Sequence, residues 1–251
     1  MPSIDLNCDL GESFGAYTIG NDEAILPFVT SANIACGFHA GDPAVMRRSV
    51  ALCKQYGVQV GAHPGLPDLV GFGRRKMDIS PSDTADCVVY QIGALKAFCD
   101  AAGVPLHHVK PHGALYNMAA KDRALADAIC RAVQQAAPGA ILLALSGSEM
   151  VAAARAIGLP VASEVFADRG YQPDGTLVPR GNPGAMIEEE DRAIARVLRM
   201  AQEGTVTAND GSTVALQADS VCVHGDGPKA LAFVQKLSKA LPVAGVALRP
   251  F

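Results

Sequence analysis

Short apolar segments alternate with amphipathic segments along the whole chain, and this alternation constrains the fold more than any other feature of the sequence. Strands are predicted at 3–9, 31–36, 58–63, 107–110, 140–145, 161–166, 220–224 and 243–248. Helices are predicted between them, at 43–56, 82–102, 122–136, 148–157, 188–202 and 228–240. Strands that alternate with helices of this length indicate βαβ units and a parallel sheet.

Two segments interrupt the alternation. Pro173-Asp174-Gly175 lies inside 171–180, and Asn209-Asp210-Gly211 lies inside 205–217. Both tripeptides favour tight turns, and Asn-Asp-Gly is a strong hairpin signal. We therefore expect two β-hairpin insertions in a single domain that spans residues 1–251.

An open doubly wound sheet and a closed barrel both satisfy this pattern, and the positions of the polar residues distinguish them. In an open sheet such residues gather at one switch point, whereas in a barrel they lie at the carboxyl ends of many strands. Here nearly every predicted strand ends in polar residues, and a chain of 251 residues has the length of one α/β barrel. The expected fold class is therefore α/β, an irregular (β/α) barrel.

Composition excludes several classes of partner. The net charge is −4, aromatic residues make up 5% of the chain and tryptophan is absent. Neither phosphate neutralisation nor stacking on bases is supported, so no nucleic acid is expected. No apolar run is long enough to span a membrane, and the N-terminus lacks a secretory pattern. Seven cysteines without a CxxC motif are typical of buried thiols in the cytoplasm, the expected location.

Polar residues recur with the two-residue period of a strand, which places them on one face. The face holds Asp5, Asn7 and Asp9 in the first strand, and four of the six histidines stand at the ends of different strands. A single buried histidine is usually structural, but four such positions together predict one shared cavity. The other members of this face are Asn33, His39, His63, Lys110, His112, Glu164, Asp168, His224 and Asp226.

Several familiar site motifs are missing. The sequence has no GxxxxGK[ST] loop, no GxGxxG fingerprint, no GxSxG elbow and no HExxH pair. A self-contained nucleotide site is therefore not supported. Clustered His, Asp and Glu residues suit metal-assisted hydrolysis or metal-free acid–base hydrolysis, and the residues alone do not decide between them. Arg74 and Arg75 are read either as a solvated pair or as contacts for an anion.

Long ordered motifs resemble those of the LamB/YcsF family. They are DLNCDLGESFG at 5–15, SANIACGFHAGDP at 31–43, GAHP at 61–64, GFGRR at 71–75, VKPHGALYN at 109–117, EVFADR at 164–169 and VHGD at 223–226. The resemblance covers the chain from Ile4 to about Lys229. It implies an irregular barrel similar to that of polysaccharide deacetylases and related glycosidases.

The resemblance also implies a reaction. The family hydrolyses the lactam of 5-oxo-L-proline to L-glutamate at the expense of ATP, with two further 5-oxoprolinase subunits, B and C, that handle the nucleotide. ATP would thus be used by the complex, whereas a divalent metal and a homo-oligomer remain open. Alternatives are a metal-dependent deacetylase of a small amide or sugar, with Asp9 and His39, His63 or His112 as ligands, and a silent scaffold protein within the complex.

The expected roles follow from this reading. Asp9 or Glu12 would act as the base toward water, and histidines would stabilise the developing charge. Lys110 would neutralise a substrate carboxylate or phosphate, or pair with Glu164 or Asp168. The expected catalytic residues are Asp9, Glu12, His39, His63, Lys110, His112, Asp168 and His224. The expected substrate-binding residues are Asp5, Asn7, Asn33, Glu164, Arg169 and Asp226.

Overall fold

A computed structural model describes residues 2–223 and 230–251 of the chain. The strands are β1 Ser3–Leu10, β2 Ser31–Ala35, β3 Gln59–His63, β4 Leu106–Val109, β5 Ile141–Leu145, β6 Val161–Phe166, β7 Thr205–Thr207, β8 Thr213–Ala215, β9 Ser220–Val223 and β10 Ala247–Leu248. The helices are α1 Asp22–Ile25, α2 Pro43–Tyr56, α3 Pro81–Ala102, α4 Gly113–Ala119, α5 Arg123–Ala136, α6 Glu149–Ala156, α7 Glu190–Glu203 and α8 Ala230–Val243. A 3₁₀ turn, Leu26–Phe28, follows α1.

Within the described residues, seven parallel strands close into a barrel in the order β1-β2-β3-β4-β5-β6-β9 and back to β1. Closure is direct, because Asp5 lies in register with Ser220 and Cys8 lies in register with Val223. The predicted α/β barrel is therefore confirmed. No helix in 2–223 or 230–251 is long and apolar enough to cross a bilayer.

The eighth predicted strand, at 243–248, is wrong in extent and in place. Helix α8 continues through Val243, and only Ala247 and Leu248 are extended. They pair with Ser3 and Ile4 at the start of β1, outside the closed ring. The reason is the length of β1. Its pairing with β9 begins only at Asp5, so the preceding residues are available to pair with β10 while the rest of the strand closes the barrel.

Other local predictions differ from the structure in smaller ways. Helix α4 was not expected, because it spans only seven residues directly after Pro111. The hairpin at 205–217 is formed by β7 and β8. The segment 171–180 is held by a single antiparallel bridge between Tyr171 and Leu177, so it is a loop with one pairing and not a two-stranded ribbon.

The two faces of the barrel strands have different chemistry. In β1, Ile4, Leu6, Cys8 and Leu10 belong to the hydrophobic core. The alternate residues are polar and face the interior of the barrel, where Asp5 and Asn7 are fully buried and Asp9 is partly buried. Gly61 shows how crowded this interior is, because a Cβ there would lie 2.1 Å from Nε2 of His108. The barrel is thus filled by hydrogen-bonded polar side chains, which are costly to bury unless every one is paired.

Asp5 closes the lower part of this interior. Its carboxylate accepts hydrogen bonds from Thr30 (2.5 Å), from Ser31 (2.8 and 2.9 Å) and from Ser220. Burial raises the pKa of Asp5 to about 6, although these hydroxyl donors oppose the shift. The folded state therefore holds a proton on this carboxyl more tightly than the unfolded chain does.

This shift predicts a specific pH dependence of stability. Because the folded pKa lies above the unfolded value, Asp5 disfavours folding increasingly as the pH rises from 4 to 7. Asparagine does not titrate, so Asp5→Asn removes this contribution. Between pH 4 and pH 7 the unfolding free energy of the wild type should fall by about 2 kcal/mol relative to that of Asp5→Asn. Urea unfolding at pH 4, 5, 6 and 7 measures it. A difference that does not vary with pH would contradict the prediction.

Candidate active site

A cavity of about 350 Å³ opens at the carboxyl ends of the barrel strands. Asp9, His63, Lys110 and His112 lie in its floor and wall, where the sequence predicted a shared site. Tyr116 of α4 and Phe166 at the end of β6 also line the cavity. Cationic side chains line the rest of the opening: Arg74, Lys76, Lys121, Arg169 and Arg180.

Lys110 occupies the centre of the floor. Its Nζ lies 2.9 Å from Oδ1 of Asp9 and 2.8 Å from Oε1 of Glu164, and it also donates to Cys222 Sγ (3.2 Å) and Asn7 Oδ1 (3.3 Å). Burial by itself would lower the pKa of Lys110. The neighbouring Asp9, Cys222 and Glu164 outweigh it and raise that pKa well above its usual value. Lys110 is therefore a buried cation that two carboxylates hold in place.

Glu164 is fully buried and has no access to the cavity. Its Oε1 accepts from Lys110 and from Nδ2 of Asn7 (3.1 Å), and its Oε2 accepts from the Tyr116 hydroxyl (2.7 Å). The contact with this carboxylate raises the pKa of Tyr116, in addition to the larger effect of burial. The tyrosine hydroxyl therefore stays protonated and acts as a donor.

A chain of amide groups links this floor to the lower interior. Nδ2 of Asn33 donates to Asn7 and to Asp9, at 2.8 Å in both cases. Oδ1 of Asn33 accepts from Nε2 of His108 at 2.7 Å. Asn7 in turn donates to Ser220 at 2.7 Å. These buried groups orient Asp9 from below, whereas the other carboxylate oxygen of Asp9 lies 3.4 Å from Nε2 of His63.

Two histidines form the wall beside Asp9, and each is fixed by a backbone carbonyl. Nδ1 of His63 lies 2.6 Å from the Lys110 carbonyl oxygen, and Nε2 of His112 lies 2.8 Å from that of Phe72. The remaining nitrogens, Nε2 of His63 and Nδ1 of His112, lie 3.0 Å apart. Phe72 has a φ of 54°, an uncommon conformation for a residue with a side chain, and this conformation presents its carbonyl to His112.

His39 packs behind this pair. Its ring stacks on that of His112 with centroids 3.7 Å apart and an interplanar angle of 2°. It is fully buried, and neither ring nitrogen has a hydrogen-bond partner among the described residues. Its Nε2 lies 3.6 Å from Oε1 of Glu12, which is 3.9 Å from Nδ1 of His112. Burial, together with the other histidines, lowers the pKa of His39 and of His112 well below the usual value.

Glycines in the loop after β3 make room for His39. A Cβ at Gly65 would lie 2.6 Å from its Nδ1, and a Cβ at Gly73 would lie 2.7 Å from its Cβ. Asp68 holds this loop by accepting from the Gly71 amide and from the Arg75 guanidinium. Hydrogen bonding from Arg75 lowers the pKa of Asp68 to about 2. Arg75 is thus a loop anchor, whereas Arg74 lines the cavity and stacks over Phe72.

One subset of these side chains has the composition of a cation site. The donor atoms of Glu12, His39, His63 and His112 all lie within 4.8 Å of one another. Imidazole nitrogen and carboxylate oxygen are the ligands that divalent transition metals favour. Asp9 lies beside this cluster, but its Oδ1 is already engaged by Lys110 and Asn33.

The structure brings together Asp9, Glu12, His39, His63, Lys110 and His112. Of the residues expected to bind substrate, Arg169 lines the cavity, whereas Asp5, Asn7, Asn33 and Glu164 are buried beneath it. Asp168 follows β6, is half-buried, and accepts from the Ile187 amide through its own carbonyl. His224 and Asp226 lie outside the described residues.

Tyr116 and three of the cations at the opening, Lys76, Lys121 and Arg180, were not predicted. Tyr116 was not predicted as a site residue because it belongs to the short helix α4, and a motif of the form Pro-His-Gly gives no helical periodicity. Lys76, Lys121 and Arg180 lie on loops or turns, where a charged residue is ordinary in any sequence. Only the closure of the barrel brings these positions to one opening.

Comparisons with known proteins agree along the whole chain. The profile of the LamB/YcsF family matches residues 4–251. A Bacillus subtilis protein named as the A subunit of 5-oxoprolinase is 61% identical over 246 residues, which are 98% of this chain and 96% of that protein. The crystal structure of a lactam utilization protein from Thermus thermophilus is 50% identical, with a TM-score of 0.94 over 99% of this chain and 100% of its own.

A more distant likeness concerns the fold alone. A family 4 carbohydrate esterase from Streptomyces lividans is 11% identical, with a TM-score of 0.52 over 98% of this chain and 91% of its own. The barrel is therefore similar to that of a carbohydrate esterase, as the sequence predicted.

The pairing of Lys110 predicts a large and specific loss of stability. Lys110→Met leaves Glu164 buried without its cation, and removing one partner of a buried pair typically costs about 3–5 kcal/mol. Adding Glu164→Gln neutralises the stranded carboxylate, so the double variant should be more stable than Lys110→Met alone. Urea unfolding of both variants measures these effects.

Lys96→Met provides the matched control. Lys96 forms an exposed pair with Asp100 on α3, so its replacement should change stability by less than about 1 kcal/mol. If Lys110→Met lowered the unfolding free energy no more than Lys96→Met does, the buried pair would not be important for stability.

Proposed function

Because the chain belongs to the LamB/YcsF family, we propose that it is the A subunit of an ATP-dependent 5-oxoprolinase, a hydrolase that opens the lactam of 5-oxo-L-proline to L-glutamate. The observation that carries the proposal is the close similarity, over nearly the full length of both chains, to the Bacillus subtilis protein of that name. The lactam utilization protein from Thermus thermophilus supports the same substrate class.

We further propose that two other subunits, B and C, supply the nucleotide chemistry. The relatives are named as one lettered component of an enzyme, which supports a complex, and the sequence contains no phosphate-binding loop motif. ATP is then used by the complex. The complex would work in the cytoplasm, an assignment supported by seven free thiols in this chain.

The need for ATP has a chemical reason. A five-membered lactam is an unactivated amide, and its carbonyl carbon is a poor electrophile. Transfer of a phosphoryl group to the lactam oxygen would activate that carbon toward water. Water adds to that carbon, and the C–N bond breaks as the ring nitrogen takes a proton, which leaves an acyl phosphate. A second water hydrolyses the acyl phosphate and releases glutamate and phosphate.

The charges of the cavity support such a substrate. The chain carries a net charge of −4, yet five arginine or lysine side chains besides Lys110 line this one cavity. A substrate with a carboxylate and a phosphoryl group would be attracted by this local surplus of positive charge. Arg169 is a buried member of the group, and burial lowers its pKa to about 10, which still leaves it charged near neutral pH.

Asp9 is the proposed general base. It lines the cavity, whereas Glu12 lies behind the histidines, and it is held by Lys110 and Asn33 through one oxygen. Lys110 makes four contacts within the protein, so we assign it to positioning Asp9 and leave recognition of substrate anions to the arginines. His63 and His112, in the cavity wall, would stabilise charge that develops on the substrate.

A reconstitution experiment tests the function. Purified chain is mixed with the B and C subunits, ATP and 5-oxoproline, and glutamate and phosphate are measured. We expect both products only when all three proteins and ATP are present. Ring opening by the chain alone without ATP would overturn the division of work. A mixture that is inactive with this chain but active when its Bacillus subtilis relative replaces it would overturn the proposed function.

A substitution at Asp9 tests its role in the same assay. Asp9→Asn keeps the size of the side chain but removes its basicity, so kcat should fall by about 10²–10⁴-fold. Asp100→Asn, on the exposed face of α3, is the matched control and should leave kcat unchanged. A kcat for Asp9→Asn within a few-fold of wild type would assign the base to another group.

A further inference from the structure

Two ring nitrogens of the histidine wall face each other, and their hydrogen bonds leave no proton for the space between them. A carbonyl oxygen only accepts hydrogen bonds. Nδ1 of His63 must therefore donate to the backbone carbonyl of Lys110, and Nε2 of His112 must donate to the backbone carbonyl of Phe72. In neutral rings the other two nitrogens therefore carry lone pairs. These nitrogens, Nε2 of His63 and Nδ1 of His112, lie 3.0 Å apart. Two lone pairs at this distance repel each other unless a cation lies against them.

Glu12 and His39 place two further groups that can bind a cation beside these nitrogens. Oε1 of Glu12 lies 3.9 Å from Nδ1 of His112 and 3.6 Å from Nε2 of His39. His39 is fully buried, and both of its ring nitrogens are without a hydrogen-bond partner among the described residues. A buried polar group that is left unpaired is rare and costly, and in a native protein it calls for an unseen partner.

We propose that Glu12, His39, His63 and His112 bind one divalent transition-metal ion, of which Zn²⁺ is the type. Three imidazoles and one carboxylate are a donor set suited to such ions. A tetrahedral ion with bonds of about 2.1 Å places its ligand atoms about 3.4 Å apart. Three of the separations between the four donor atoms, 3.0, 3.6 and 3.9 Å, lie around this value, and all of the separations are within 4.8 Å. Because the His39 ring is stacked parallel to that of His112, binding of the ion requires the His39 ring to turn out of this stack.

A shared proton accounts for less of the arrangement. It would satisfy the contact between His63 and His112, but it would leave both nitrogens of His39 unpaired. A metal ion uses one lone pair of each of the three rings and the charge of Glu12, so one nitrogen of His39 instead of two is left without a partner. The carbonyls of Lys110 and Phe72 then serve as the outer partners that fix the ligand rings in metal sites.

The surrounding backbone keeps the ligand side chains close to one another. Gly65 and Gly73 pack so closely on His39 that a methyl group at either position would meet its ring or its Cβ. His63 and His112 also line the cavity, so the ion would lie beside bound substrate and add positive charge there. The site goes beyond the proposed function and stands on this geometry whatever the substrate is.

Metal binding by the full chain tests the proposal. The purified chain is stripped with a chelator, dialysed against Zn²⁺ or Co²⁺ in separate samples, and analysed for metal content. We expect one ion per chain, a higher Tm with metal than without it, and visible absorption of the Co²⁺ form that reports nitrogen and oxygen ligands. A folded chain that retains no stoichiometric metal would overturn the proposal.

Single substitutions locate the site independently of activity. His39→Gln and His112→Gln should each weaken Zn²⁺ binding by about 100-fold or more, since even outer partners of ligands contribute 10–100-fold. His107→Gln is the control, because His107 contacts His108 and Phe251 and takes no part in the cluster; it should bind as wild type does. Circular dichroism of the metal-free variants establishes that they fold.

Crystals of the wild-type chain provide a test that needs no variant. After soaking in Zn²⁺, anomalous scattering at the zinc edge should give a peak among the four donor atoms. A peak only at another position, or Zn²⁺ affinities of His39→Gln and His112→Gln equal to that of wild type, would overturn the assignment.

Discussion

The ion triplet formed by Lys110 with Asp9 and Glu164 is the interaction on which the rest of the barrel interior depends. A barrel core is usually filled by branched apolar side chains, whereas this one holds carboxylates, amides and an ammonium group. Removing charges from water is expensive, and only complete pairing offsets that cost. Lys110 supplies the positive charge that makes the buried Glu164 and the largely buried Asp9 tolerable, and the amides of Asn7 and Asn33 donate to the same oxygens that Lys110 contacts. The polar floor is thus one unit, in which no member is independent of the others.

Alternation along the strands predicted this face correctly, because the strand period leaves only two choices for each side chain. Asp5, Asn7 and Asp9 could therefore be placed together in the interior from spacing alone. Depth within the barrel could not be read in this way. It depends on the register between strands, which sets Asp5 level with Ser220 and Asn7 level with Cys222. For this reason the sequence assigned Asp5, Asn7, Asn33 and Glu164 to substrate, although they lie below the cavity.

Contacts made by the backbone were also beyond sequence reasoning. Nothing in the spacing of His63 indicates that its partner is the carbonyl of Lys110, and nothing marks Phe72 as a residue with positive φ. The strand β10 was misplaced for a similar reason, since local apolar character cannot tell which edge a short strand will join. The family motifs were informative because they record such combinations directly: GFGRR contains the loop that packs on His39, and VKPHG contains both the floor cation and a wall histidine.

The histidines and the cations that line the cavity are held in contrasting ways, and this contrast bears on the proposed function. The histidine wall is buried, held by carbonyls and enclosed by Gly65 and Gly73, so it is rigid before any substrate arrives. Most of the cations at the opening are exposed side chains on loops or turns, which can adapt to a ligand. Preorganised groups are most effective where charge develops during reaction, and flexible cations are most effective in capture. The proposed function, in which partner subunits deliver an activated, anionic substrate, calls for both properties, and this barrel places them around one opening.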